Sequence, residues 1–201
     1  MIHPVETARK RSWRAEFFQL ALFLALMTVF RSSFADHYHV PTGSMEYTLM
    51  PGDRVIVDKM AYGIRIPLTT VDLLAASAPA RGDVAVFDSP LDGTRLIKRI
   101  VAIGGDEVSL QDGLLVVNGR PMGDARREQF EGHEALLNLA SGGGADIPFL
   151  RIPSGMVLAV GDHRGNSLDG RYFGLVADEA IIGRAMGIYY RRGEGFGWRS
   201  L

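Results

Sequence analysis

At 201 residues, the chain is long enough for one sizeable core, or one core with a small inserted lobe, and too short for two full domains. A hydrophobic fraction of 47% with 22% charged residues excludes wholesale disorder, and 22 basic against 23 acidic residues give no electrostatic case for a nucleic-acid partner. Cysteine is absent, which rules out a disulfide framework, a cysteine-ligated zinc site and a thiol nucleophile, and permits an extracytoplasmic location.

The first element is a membrane segment. Arg9, Lys10, Arg11 and Arg14 precede an apolar run at 17–30 in which only Gln19 and Thr28 are polar. A helix rising about 1.5 Å per residue needs roughly 20 residues to cross the hydrocarbon core. The run therefore recruits its flanks, giving an anchor over 13–35 with Trp13 in the headgroup layer and Arg14 and Arg31 snorkelling to the two interfaces. The basic excess before it places residues 1–12 in the cytoplasm and 36–201 outside. Two other readings stand beside the anchor: a cleavable signal peptide ending at the small-x-small pattern Ser33-Phe34-Ala35, and a buried core helix.

Beyond the anchor the apolar runs are short and rich in valine and isoleucine: RVIVDKM, GDVAVFDS, LIKRIVAI, DEVSLQ, GLLVVNG, MVLAVGD and AIIGRAMGIYY. They are separated by turn sequences, Pro51-Gly52-Asp53, Asp92-Gly93, Gly104-Gly105-Asp106, Asp112-Gly113 and Asn118-Gly119. The pattern predicts a mostly β fold, an antiparallel catalytic domain with long loops rather than alternating βαβ units. Residues 111–121 read as a tight hairpin. The polar, glycine-rich stretch at about 122–150 reads as an inserted lobe, with a short helix over 130–139.

Several familiar signals fail. Gly142-Gly143-Gly144 lacks the lysine of a phosphate loop, and there is neither an HExxH nor a G-x-S-x-G. His37 and His39 have no acidic third partner to suit a metal, and neither His133 nor His163 stands where a triad base would be announced. No metal or other cofactor is expected.

Three clusters remain: Pro41-Thr42-Gly43-Ser44-Met45 directly after the membrane run, Leu96-Ile97-Lys98-Arg99-Ile100-Val101, and Gly161-Asp162-His163-Arg164 through Ser167, Asp169 and Arg171. In this order they resemble the serine, lysine and glycine-aspartate boxes of bacterial type I signal peptidases. Leu49, Gly52-Asp53, Arg81-Gly82-Asp83-Val84, Gly105-Asp106 and Gly183-Arg184 extend the resemblance over most of 15–190. The family often has proline where Tyr47 stands, asparagine where His163 stands and serine where Gly170 stands.

The residues fit the chemistry. A serine hydroxyl needs a base within hydrogen-bond reach. Lysine serves only when neutral, which requires burial to lower a pKa of about 10.4. Strand alternation puts Lys98 on the face of Leu96 and Ile100, toward the core, although a lysine in a strand is ordinarily an edge charge. Gly43 allows an unusual turn that exposes the Ser44 hydroxyl.

The resemblance implies Ser44 as nucleophile, Lys98 as general base, the Ser44 N–H and Thr42 hydroxyl as oxyanion hole, and Ser167 orienting the lysine. It implies supporting roles for Asp169 and Arg171 as an ion pair and for Asp162 and Arg164 in shaping the loop. It further implies a membrane-bound endopeptidase on the extracytoplasmic side of the bacterial inner membrane, acting on preprotein signal peptides with small residues at the first and third positions before the cut. Met45, Tyr47, Ile64 and Ile66 are candidate pocket walls, and an extended substrate strand suits an exposed β edge. The partners are thus preproteins and the lipid bilayer. A peptidase dedicated to one secretion or conjugation substrate, and a membrane-tethered β-domain without catalysis, remain alternatives. A self-cleaving repressor would need a DNA-binding module where the apolar run stands.

Overall fold

The structure, a computed structural model, describes residues 13–33, 35–65, 72–74 and 77–201. The first element is helix α1 (Trp13–Ser33). Its large apolar side chains, Phe17, Phe18, Leu20, Leu22, Phe23 and Leu24, are all exposed. At 100° per residue they point all round the axis rather than along one stripe, so the core-helix reading fails. Among the described residues no helix is long and apolar enough to cross a membrane. The predicted span over 13–35 is therefore not met by α1 as it stands. The basic segment 1–12 and Phe34 lie outside the described residues.

The strands follow in chain order: β1 (Ala35–His39), β2 (Arg54–Asp58), β3 (Ile64–Arg65), β4 (Asp72–Leu74), β5 (Val84–Asp88), β6 (Arg95–Ile103), β7 (Glu107–Gln111), β8 (Leu114–Val117), β9 (Arg120–Pro121), β10 (Arg127–Phe130), β11 (His133–Leu136), β12 (Ile147–Arg151), β13 (Met156–Val160), β14 (Val176–Ala177), β15 (Ile181–Arg191) and β16 (Gly195–Ser200), with helix α2 (Gly170–Phe173) before β14. The predicted valine- and isoleucine-rich runs correspond to β2, β5, β6, β7, β8, β13 and β15. The main sheet runs β1-β2-β15-β5-β6-β13-β14, with β16 paired to β15. A second sheet runs β12-β7-β8-β9. The strand pairings of both sheets are antiparallel. The fold is mostly β, as the patterning predicted.

The hairpin expected at 111–121 is present. Asp112 and Gly113, then Asn118 and Gly119, have φ of 49°, 80°, 51° and 74°, the left-handed pair that a two-residue turn between twisted strands requires. The helix expected over 130–139 is absent. That segment instead supplies the end of β10 and all of β11, which pair from Arg127↔Leu136 to Phe130↔His133. The reason is the period: Glu128, Phe130 and Ala135 are buried while Gln129 and Glu134 face solvent, an alternation of two that a helix cannot satisfy.

The core divides into three clusters. One lies between the second sheet and β13 and includes Leu110, Leu115, Phe130, Ile152 and Leu158. A second gathers Val40, Met45, Leu49, Val55, Val57, Val84 and Val86. The third holds Ala85, Phe87, Ile100, Ala159 and Ile181. The second cluster seats the serine segment and the third underlies the face of β6 that carries Lys98.

Candidate active site

Ser44 lies in the 41–50 segment between β1 and β2. The segment is fastened at both ends: Val40 N–H donates to Asp53 O at 2.9 Å, and Gly52 N–H donates to Val40 O at 2.8 Å. Asp53 is fully buried and accepts from Met50 N–H and from Arg191. Inside the segment, Met45 and Leu49 are fully buried in the second cluster, with Leu49 N–H donating to Met45 O. Glu46 N–H donates to Gly43 O at 3.1 Å, which closes the turn that presents Ser44.

Lys98 sits at the middle of β6, opposite Ala85 of β5, and is 3% exposed. Its Nζ is 2.6 Å from Ser44 Oγ. Nothing else among the described residues hydrogen-bonds this amine. Burial drives its pKa down from 10.5 to about 8; Asp169 and Asp162 oppose the fall and Arg171 adds to it. Desolvation wins because the two carboxylates are already engaged by arginines.

Those engagements form the frame of the site. Arg99, next to Lys98 on the opposite face of β6, donates Nε to Asp162 Oδ1 at 2.9 Å and Nη2 to Asp162 Oδ2 at 2.8 Å. Thr48 donates to the same carboxylate at 2.5 Å, and Arg99 Nη1 donates to Gly82 O. One buried node therefore ties the serine segment, the lysine strand and the 161–171 loop together. Asp169 caps α2, accepting from Arg171 N–H, and pairs with the Arg171 guanidinium at 2.8 Å. Asp169 also accepts from Gly161 N–H, and Arg171 donates on to Gly143 O and Arg164 O. Arg164 is buried against Glu128 at 2.6 Å and donates to Gly161 O and Gly113 O.

The sequence-predicted residues thus fall into groups. Ser44 and Lys98 are brought into contact. Asp162, Arg164, Asp169 and Arg171 surround them as buried ion pairs rather than surface ones, with the Asp169–Arg171 side chains at 0% exposure. Thr42 is exposed beside Ser44, and among the described residues neither its hydroxyl nor the Ser44 N–H donates a hydrogen bond. Ser167 is buried, and its Oγ has no hydrogen-bond partner; the bond to the lysine expected from the resemblance is not formed here. A Cβ on Gly161 would lie 2.2 Å from Ser167 Oγ and 2.5 Å from Ser44 O, so only glycine lets these two segments close up. Met45 belongs to the core and offers no exposed wall, because its side chain fills the space under the serine turn. Tyr47 is half exposed, Ile64 lies in β3, and Ile66 is outside the described residues.

The structure gives roles to residues that the sequence left without one. Arg99 and Thr48 are two. His163 is a third: its N–H donates to Ser44 O at 3.1 Å, and its Nδ1 lies 3.2 Å from both Gly43 O and Glu46 Oε2. Asn138 Nδ2 donates to Glu46 Oε2 at 3.2 Å, buttressing the same turn. A cue for Arg99 was present, since a second cation inside an apolar strand requires a buried anion. Glu46 and Asn138, 92 positions apart, carried none.

Beside the dyad runs a small groove of about 40 Å³, lined by Tyr38, His39, Val40, Pro41, Val86, Arg95, Leu96 and Ile97. On β6, residues 95–98 pair only with β5, since pairing with β13 begins at Arg99. That leaves a length of backbone edge unpaired next to Lys98.

Comparison with known proteins identifies the family of the chain. The family described as signal peptidase, peptidase S26, matches residues 13–190. A signal peptidase I of Pseudomonas fluorescens is 31% identical over 194 residues, covering 83% of this chain and 68% of that protein. A probable signal peptidase I-1 of Synechocystis sp. is 31% identical over 167 residues, covering 83% and 76%. Among solved structures, a signal peptidase I from Enterococcus faecalis is 28% identical with a TM-score of 0.43, covering 54% of this chain and 97% of that one. With the matched stretch running from the first described helix through β15, the chain belongs to the signal peptidase family, peptidase S26.

Proposed function

We propose that the chain removes signal peptides from exported preproteins as a serine endopeptidase in which Ser44 is the nucleophile and Lys98 its general base. The observation that carries this reading is the 2.6 Å contact between Ser44 Oγ and a lysine amine that is buried and faces no carboxylate directly. With a pKa of about 8, roughly one amine in ten is neutral at pH 7. The neutral Nζ accepts the hydroxyl proton as Oγ attacks the scissile carbonyl. The resulting ammonium returns that proton to the leaving amine, and water then releases the acyl-enzyme by the same route.

The Ser44 N–H and Thr42 hydroxyl, unused by the rest of the loop, serve as oxyanion donors worth about 3–4 kcal/mol each in the transition state. Ser167, buried and unpartnered beside Ser44, orients the amine once its hydroxyl rotates toward Lys98. The residues preceding the cut lie extended in the groove along the free edge of β6, whose small volume favours small side chains. The all-round apolar surface of α1 supports membrane attachment, with the basic residues before it on the cytoplasmic side and the β domain outside.

The test is cleavage of a preprotein carrying an Ala-x-Ala site by the detergent-solubilised full chain, with Ser44→Ala and Lys98→Ala as comparators. Cutting at that site by the unaltered chain, lost in both variants while they remain folded, is expected. A folded chain inert on several preproteins, or variants that cut as well as the parent, would overturn the reading.

A further inference from the structure

His163 grips the peptide units on both sides of the nucleophile. Its backbone N–H donates to Ser44 O at 3.1 Å, and its ring Nδ1 lies 3.2 Å from Gly43 O. Nδ1 is also 3.2 Å from Glu46 Oε2. Both of these oxygens are acceptors, so Nδ1 carries the hydrogen, and Nε2 of the neutral ring is left to accept from Ser141 Oγ at 3.3 Å. The ring is held in place. His163 is 7% exposed, and Glu46 is fixed in turn by Asn138 Nδ2 at 3.2 Å. Asn138 N–H donates to Asp162 O and Arg164 N–H donates to Asn138 O, which fastens the backbone before and after His163.

The bond to Gly43 O bears on the reaction because Gly43 O and Ser44 N–H belong to one peptide plane. The Gly43–Ser44 bond is trans, and in a trans peptide the carbonyl and the N–H point to opposite sides. Whatever fixes Gly43 O therefore aims Ser44 N–H. Gly43 O accepts from Glu46 N–H at 3.1 Å and from His163 Nδ1, whereas Ser44 N–H donates to nothing among the described residues. The donor is pinned from behind and open in front. A Cβ at residue 43 would lie 2.5 Å from Glu46 Oε1, so glycine lets the carboxylate and the ring close on this peptide. On the reading that Ser44 N–H is an oxyanion donor, we propose that the His163 side chain is a positioning residue. It holds the Gly43–Ser44 peptide in the plane that aims this donor, and so contributes as charge develops on the scissile carbonyl oxygen. Its hydrogen bond to Gly43 O also polarises the same amide and strengthens the N–H as a donor.

Any substitution at residue 163 keeps the backbone bond to Ser44 O, so side-chain variants isolate the bond to Gly43 O. His163→Leu removes the ring donor, while His163→Asn sets an amide N–H where Nδ1 stands, since both nitrogens lie one bond beyond Cγ. The experiment uses the full chain in detergent and a preprotein carrying an Ala-x-Ala site. His163→Leu is expected to lower kcat about thirtyfold, less than the loss of about 10²–10³ that deleting an oxyanion donor brings. KM should stay within about twofold, because the contribution is made in the transition state. His163→Asn is expected to recover kcat to within about threefold of the unaltered chain. A peptide aldehyde, whose adduct with Ser44 places an oxygen in the hole, should inhibit His163→Leu more weakly and His163→Asn nearly as well as the parent. If His163→Leu does not fold, His163→Ala carries the same comparison. An unchanged kcat in the variants without the donor, a loss confined to KM, or a loss that His163→Asn does not recover overturns the positioning role and leaves the peptidase reading standing. If the unaltered, folded chain cuts no preprotein, the peptidase reading itself fails and the positioning role with it.

Discussion

Two sets of buried charges lie within one loop of each other and are treated in opposite ways. Around the 161–171 loop every cation meets an anion: Arg99 meets Asp162 with side chains 2% and 1% exposed, Arg171 meets Asp169, and Arg164 meets Glu128. One residue away on β6, Lys98 is as deeply buried and meets only a hydroxyl. Moving a charge out of water costs several kcal/mol, and only a well-placed counter-ion offsets it. The paired arginines stay charged and hold the loop. The unpaired lysine gives up proton affinity instead, which is the property a base needs at neutral pH.

The sharpest way to break this comparison is to remove the unpaired partner. Ser44→Ala and Lys98→Met are expected to lower kcat/KM by at least about a thousandfold, since the two groups act as a unit. Lys98→Met is also expected to stabilise the fold. The folded pKa of about 8 lies below the ordinary 10.5, so the unfolded chain binds more protons between these values and stability rises with pH across that window. Below pH 8 the buried ammonium costs about 3 kcal/mol, an order-of-magnitude figure from the size of the shift, and the methionine variant escapes that cost. Denaturant melts at pH 7 and pH 10 check it: the gain should be present at the lower pH and largely gone at the higher. For activity, kcat/KM of the unaltered chain should climb tenfold per pH unit up to about 8 and then level off. A flat profile from pH 6 to 9 would remove Lys98 as the base.

The paired set predicts the reverse. Arg99→Met leaves Asp162 buried without its bidentate partner and is expected to cost about 3–5 kcal/mol, read as a lower denaturation midpoint with an unchanged slope. Changing Asp162→Leu in the same chain should recover part of that loss, because the orphaned carboxylate is gone. Activity should not return with it, since the node also positions Thr48 and the serine segment. A double variant that regains full activity would show the pair to be a passive prop.

What the sequence revealed of this contrast follows from range. Strands β5, β6 and β13 were legible because alternation and turn residues act locally, and Lys98 was legible because its apolar neighbours stand beside it. The hairpin β10–β11 was misread because a short stretch of weak pattern allows either period until Phe130 and Ala135 find the core under the second sheet. The partners of Arg99 and Glu46 were not legible at all. Arg99 and Asp162 are 63 positions apart, and only the antiparallel pairing of β6 with β13, from Ile103↔Val157 to Arg99↔Val160, brings the 161–171 loop to the lysine strand. The bulk of Met45 was assigned to a pocket for the same reason, since nothing local marks the space beneath the serine turn as filled.

The smallest expected effect tests whether pairing or depth carries the energy. Arg127 and Glu134 form an ion pair at 3.0 Å across β10 and β11, with side chains 61% and 42% exposed. The distance is much like that of Arg99 and Asp162, but water already solvates both groups, and holding two long side chains in one geometry offsets most of the Coulomb gain. Arg127→Ala is therefore expected to shift stability by less than about 0.5 kcal/mol in denaturant melts, and raising the salt concentration should shrink even that. A loss approaching that of Arg99→Met would mean that the distance between charges, rather than their removal from water, governs the frame around the dyad. The depressed pKa of Lys98 would then need a cause other than burial.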